Sequence, residues 1–197
     1  MSYLDDFFEE QSEIIERFGW AVVHVLPGDD DPAETVPFAY TVGLTGYGYP
    51  ELAIAGVSPE VGHQLLNEVA GRVRDEGLQL RHGHRIRGLI TGQEVRIVAG
   101  DIRAELFPGA ALMRYGDDRV RLLQIAWPDP GDRFPWQSGY DAERFPQPTL
   151  GVPVTRAGLR CATFRGIPGS ALRRAQRHRA ARSRWGSPGG EGGNHHR

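Results

Sequence analysis

Between residues 3 and 18 the apolar positions Leu4, Phe7, Phe8, Ile14, Ile15 and Phe18 recur near every 3.6 residues, and Asp5, Asp6, Glu9, Glu10, Glu13 and Glu16 fill the other side. This period predicts an amphipathic helix over 3–18, with Gly19 as its C-cap. The next run, WAVVHVL (20–26), is apolar on both alternating faces and rich in valine, the pattern of a central strand. Residues 27–37, PGDDDPAETVP, have no period and read as a loop.

FAYTVGL (38–44) alternates by size: Phe38, Tyr40, Val42 and Leu44 are large, whereas Ala39, Thr41 and Gly43 are small. The large side chains predict a core face. The small ones let another backbone, a helix or a flat ligand come close. The TGYGYP bend leads to a second apolar strand, ELAIAGV (51–57). A phosphate loop needs its glycines to end a strand and open a helix, so these glycines are read as a strand connection.

Ser58-Pro59-Glu60 supplies an N-cap, a proline at N1 and an acid at the positive helix end. The stripe Val61, Leu65, Val69, Val73 then predicts a helix over 59–76. EVRIVA (94–99) pairs with 86–90 through Thr91-Gly92, and Pro108-Gly109 separates IRAELF from ALMRY. RVRLLQIAW (119–127) is a late strand. The proline-rich remainder of the body can be ordered only by packing Phe134, Trp136, Tyr140 and Phe145 onto it. The expected fold is a single α+β domain over 1–151, a mostly antiparallel sheet with the helices 3–18 and 59–76 packed on it.

Composition adds a boundary. Of 197 residues 40% are apolar, enough for one core. Residues 1–151 hold 13 arginines against 24 carboxylates, and residues 152–197 hold ten against the single Glu191. Every basic residue is arginine. The second segment is rich in Arg, Gly and Ala and is expected to be a disordered basic tail; a frame-shifted or read-through GC-rich extension would have the same composition. The acidic N-terminus and the lack of a long apolar run point to a cytoplasmic protein without a membrane partner. The lone Cys161 excludes an internal disulfide. The tail can bind nucleic acid non-specifically by counterion release, but the body lacks the basic–aromatic interleaving of a specific reader.

Candidate chemistry is sparse. Asp29-Asp30-Asp31 lacks the glycine and distal glutamate of a calcium loop. His82 and His84 form a feasible metal pair without a third ligand, so they are read as a surface pair and His24 as a core residue, with no metal or cofactor expected. WPD at 127–129 resembles a phosphatase acid loop, yet Cys161 is not followed by an arginine at the required spacing.

Taken together, GWAVVHV, FAYTVGLTGYGYPELAIAGVSPEVGHQLLNEV, LQIAWPD, RFPW and QPTLG resemble the bacterial family catalogued as domain of unknown function 4262, over about residues 10–151. The resemblance implies a shared fold and a domain ending at QPTLG, and it names no reaction. On its motifs the residues singled out are Tyr40, Thr41, Gly43, Pro50, Glu51, Gln124, Trp127, Asp129, Arg133 and Trp136. Of these, Tyr40, Thr41, Glu51, Gln124, Trp127, Asp129, Arg133 and Trp136 are expected to line one ligand pocket, formed where the closing segment folds over the small-residue face of FAYTVGL. The structural alternative pairs Arg133 with Asp129 or Glu51 and uses the tryptophans to clamp the arm. The expected function is a non-catalytic module binding a small molecule or a protein. The alternative is a hydrolase or tailoring enzyme with Glu51 or Asp129 as acid/base and Arg133 holding an anion.

Overall fold

The computed structural model of the protein describes residues 3–151; the expected tail, 152–197, lies outside the described residues. The N-terminal stripe forms α1 (Tyr3–Phe18), with Ile15 buried and Phe7, Phe8 and Ile14 packed at the core margin. The Gly19 amide donates to the Ile15 carbonyl at 2.7 Å and ends the helix. There follow β1 (Ala21–Val25), β2 (Phe38–Val42), β3 (Glu51–Ala55), α2 (Pro59–Arg74), β4 (Arg85–Ile90), β5 (Gln93–Ala99), α3 (Gly109–Tyr115) and β6 (Leu122–Ala126), with 3-10 turns at Leu44–Tyr47 and Ala104–Leu106. Ser58 caps α2 by accepting from the Val61 amide, as its sequence predicts.

The strands form one sheet in the order β1-β2-β3-β6-β5-β4. Its pairings are antiparallel except β3 with β6, which run parallel. That exception is the seam between an N-terminal and a C-terminal half, and only a long crossover can make it. The expected α+β fold with a mostly antiparallel sheet is the one observed.

The size alternation of FAYTVGL sorts the two layers. Phe38, Tyr40 and Val42 share a core with Ile15, the 106–112 segment, Phe134 and Leu150. Ala39 belongs to the opposite core, with Leu65, Leu66, Val69 and Val73 of α2. At Gly62 a Cβ would lie only 3.6 Å from the Ala39 methyl. The small face therefore admits a helix. Phe134, Trp136 and Leu150 of the closing arm pack on the other face, whereas Trp127 packs on the α2 side. This corrects the expected cleft, whose place over Ala39 is filled by α2.

A second correction concerns β1. It is an edge strand, although its residues are buried on both faces. Apolar character on alternating positions reports coverage of both faces, here by α1 and α2, and says nothing of neighbours in the sheet. Among the described residues no helix is long and apolar enough to cross a membrane.

Gly43 is where the bend meets the entry to β1. Its φ is +137°, and a Cβ would stand 2.6 Å from the Gly19 carbonyl oxygen and 2.7 Å from the Trp20 Cα. Both neighbours are backbone and cannot step aside. Gly43→Ala is expected to lower stability by about 3 kcal/mol, seen in urea as a lower unfolding midpoint with an unchanged slope.

Candidate functional site

The residues singled out from the sequence occupy three places. The first is the seam of the sheet. Thr41 at the end of β2 and Glu51 at the start of β3 are fully buried. Thr41 Oγ1 donates to Glu51 Oε2 at 2.6 Å and accepts from the Leu52 amide at 2.9 Å. Glu51 Oε1 accepts from the amides of Gly43 at 3.0 Å and Thr45 at 2.9 Å, and the Glu51 amide donates to the Arg121 carbonyl at the entry to β6. Burial pushes the carboxyl above the usual glutamate range, against the opposing pull of the Thr41 hydroxyl and the Thr45 and Gly43 donors. Tyr40 is also buried, on the opposite core face. Its hydroxyl accepts from the Ala110 amide at 3.0 Å and thereby serves the first turn of α3, whose N-cap Pro108 offers no side-chain acceptor. Burial raises the phenol, which the Ala110 hydrogen bond opposes and the nearby Glu51 carboxylate reinforces.

The second place is the underside of the closing arm. Gln124, fully buried in β6, donates from Nε2 to the Pro148 carbonyl at 2.8 Å and accepts from the Leu150 amide at 2.9 Å. It thus acts as one rung of a missing strand. At Gly100, a Cβ would stand 2.2 Å from the Leu150 carbonyl oxygen, so only glycine lets the arm settle there.

The third is the turn after β6. Asp129 is 1% exposed. Its Oδ1 accepts from the amides of Gly131 at 2.8 Å and Arg133 at 2.9 Å, and Oδ2 accepts from Arg133 Nε at 3.1 Å. Burial works against its charge, but the Arg133 and Gly131 amides, the Arg133 guanidinium and the Asp141 amide outweigh it, so the carboxyl lies below the usual aspartate range. Arg133 thus pairs with Asp129 and not with Glu51. Trp127 donates from Nε1 to the Ala55 carbonyl at 2.8 Å and meets Phe145 edge-on. Trp136 stacks on Phe134 with centroids 5.0 Å apart, and the Arg96 guanidinium lies 4.9 Å over Phe134.

Asp129, Arg133 and Trp127 are therefore neighbours along one turn. Tyr40, Gln124 and Trp136 share the arm-covered face, whereas Thr41 and Glu51 form a knot of their own. The sequence pattern did not single out Gln147 or Arg96. Gln147 is buried and holds Trp127 at both backbone groups, accepting from its amide at 3.1 Å and donating to its carbonyl at 3.0 Å. Its signal was visible, since an amide beside Pro148 in an arm poor in partners has to supply hydrogen bonds. Of the histidines, His24 is half-buried and stacks on His63, and His82 Nδ1 accepts from the Ala99 amide. Among the described residues no three side chains of metal-ligand type converge.

Glu51→Ala strands three donors and is expected to cost about 3–5 kcal/mol, whereas Glu51→Gln keeps an acceptor for both amides and can donate to Thr41 Oγ1. The raised folded-state pKa means that the Glu51 contribution is complete below the ordinary glutamate value and is lost as pH rises through the folded value. Melting of wild type and Glu51→Gln across pH 4–8 should therefore move in favour of the glutamine variant as pH rises. Asp129 has the opposite sign: its contribution is present above the ordinary aspartate value and is lost as pH falls through the depressed one. Wild type should outlast Asp129→Asn at neutral pH and lose that advantage in acid, as thermal melts over the same series would register.

The family described as Domain of unknown function (DUF4262) matches residues 14–141, from the last five residues of α1 into the arm and short of Gln147. No curated protein matches the chain, and no solved structure does. With the whole sheet, α2, α3 and the first part of the closing arm inside the matched span, the chain belongs to the family of the Domain of unknown function (DUF4262).

Proposed function

We propose that the protein is a non-catalytic module that binds a small molecule or a protein partner through the surface of its closing arm, where Trp127, Arg133 and Trp136 make the contact. Gln124 and Asp129 hold that surface in place, while Tyr40 supports α3 and Thr41 and Glu51 brace the seam of the sheet. One observation carries this reading: each candidate carboxylate is buried and spends its oxygens on the protein's own donors, Glu51 on Thr41, Gly43 and Thr45, and Asp129 on Gly131 and Arg133. A general base has to reach the proton it removes, and the Glu51 and Asp129 side chains are almost wholly out of contact with solvent. The Arg133 side chain, by contrast, is 46% exposed. It engages Asp129 through Nε, which leaves the terminal nitrogens of the fork to meet a carboxylate, a phosphate or a backbone carbonyl. The enzyme alternative requires the arm to lift and bare Asp129.

A thermal-shift screen of the full chain against metals, nucleotides, flavins and small carboxylates tests the reading, together with capture of partners from the native host. A ligand or partner that binds wild type is expected to lose about tenfold or more in affinity with Arg133→Gln. Melting of the free variant should fall only slightly, because its ion pair is partly exposed. Turnover of any bound compound that disappears in Asp129→Asn, with the folded state intact, would establish the enzyme instead.

A further inference from the structure

The sheet edge opposite β1 carries a cluster of arginines. On β4, Ile86 belongs to the α2 core, so its neighbours Arg85 and Arg87 point to the other side. Arg85 stands directly across the ladder from Arg96 of β5, and Glu94, two residues before Arg96, shares their face. Arg87 Nε donates to Glu94 Oε1, and Arg85 approaches Glu94 Oε2 at 3.6 Å. The Arg87 hydrogen bond and the charges of Arg87, Arg85 and Arg96 hold the Glu94 carboxyl below the usual glutamate range, against the pull of desolvation. Arg96 also lies 4.9 Å over the Phe134 ring, on which the half-buried Trp136 stacks. One continuous face therefore runs from the β4–β5 hairpin to the closing arm.

Such an arrangement costs stability. Like charges directly opposite on neighbouring strands repel, and here one carboxylate serves three guanidiniums. Arg85 and Arg87 are 59% and 83% exposed, so neither is held there by core packing. A ligand that brings negative charge relieves the repulsion. Its size follows from the rest of the body, where 13 arginines face 24 carboxylates over residues 1–151. That balance repels a long polyanion, whereas a small anion within a Debye length of about 8 Å responds chiefly to the patch. The β4 edge itself is closed to an added strand: a bulge with Gly88 at φ +76° interrupts it, and Arg72 donates to the Arg87 carbonyl at 3.3 Å. We propose that Arg85, Arg87 and Arg96 bind the phosphate of a small phosphorylated ligand whose planar ring, as in a mononucleotide, stacks at Trp136. Arginine forks match phosphate oxygens in pairs, and an aromatic side chain accepts a flat base through its π-face. The site extends the binding surface proposed for the closing arm and rests on that reading.

Isothermal titration calorimetry of the full chain with AMP, GMP and flavin mononucleotide, each beside its unphosphorylated form, tests this. At least one phosphorylated compound is expected to bind about tenfold or more tightly than its unphosphorylated form, and more weakly as salt is raised. Arg85→Gln should weaken that binding by a similar factor with an unchanged melting profile, since the side chain is exposed and meets Glu94 only at 3.6 Å. Trp136→Leu should remove the advantage of the same compound over inorganic phosphate. Absence of binding by all three compounds, or binding indifferent to Arg85→Gln, would overturn the proposal. So would a single-stranded oligonucleotide held more tightly than AMP and released by Arg85→Gln. Failure of the arm surface reads differently, because Arg133→Gln decides it: a partner that loses affinity with Arg133→Gln and not with Arg85→Gln keeps the arm as a contact and removes the phosphate site.

Discussion

A carboxylate without a cation stands at the junction of the fold. Glu51 lies where the two halves of the sheet meet, and its three donors come from β2 and from the bend that follows it. Burying the group is costly unless each lone pair finds a partner. Once the donors are supplied, however, they fix what surrounds them: the end of β2, the direction of the 43–45 backbone and the parallel start of β3 beside β6. The bend must therefore be made of residues that can aim two amides inward, which is why its first member is a glycine at positive φ pressed against Gly19 and Trp20.

The closing arm obeys the same logic with neutral groups. From Trp127 to Leu150 the chain has neither helix nor strand, and its backbone satisfies itself only in part, through turns such as Asp132 to Asp129 and Phe145 to Asp141. Side chains stand in for the absent strand: Gln124 bonds residues 148 and 150, Gln147 bonds both backbone groups of Trp127, and Asp129 gathers the amides of its own turn. Buried glutamines and an aspartate of this kind look, in a sequence, like the polar residues of a pocket. Their geometry assigns them to holding the arm, and it leaves the Arg133 side chain half exposed.

Much of the architecture was legible because it follows from local chemistry. Period and caps defined α1 and α2, the Thr91-Gly92 turn defined the β4–β5 hairpin, and the size alternation of FAYTVGL predicted two unlike faces. The assignment of those faces was not legible. A row of small residues says that something approaches closely, and α2, the arm or a ligand would each satisfy it; packing volume on both sides chose α2. The edge position of β1 was hidden for a related reason, since hydrophobicity records what covers a strand and not what pairs with it.

The sequence by itself determined α1, α2 and the strands of the sheet, though not α3, together with the acidic character of residues 1–151 and the family to which the chain belongs. These depend on neighbours a few residues apart or on composition. Only the tertiary structure decided that Gln124 holds Pro148 and Leu150, that Tyr40 serves the Ala110 amide, and that Trp127 reaches the Ala55 carbonyl. Each of these rests on contacts between positions far apart in the chain. Such contacts depend on how whole layers stack, and no local pattern of residues encodes that distance.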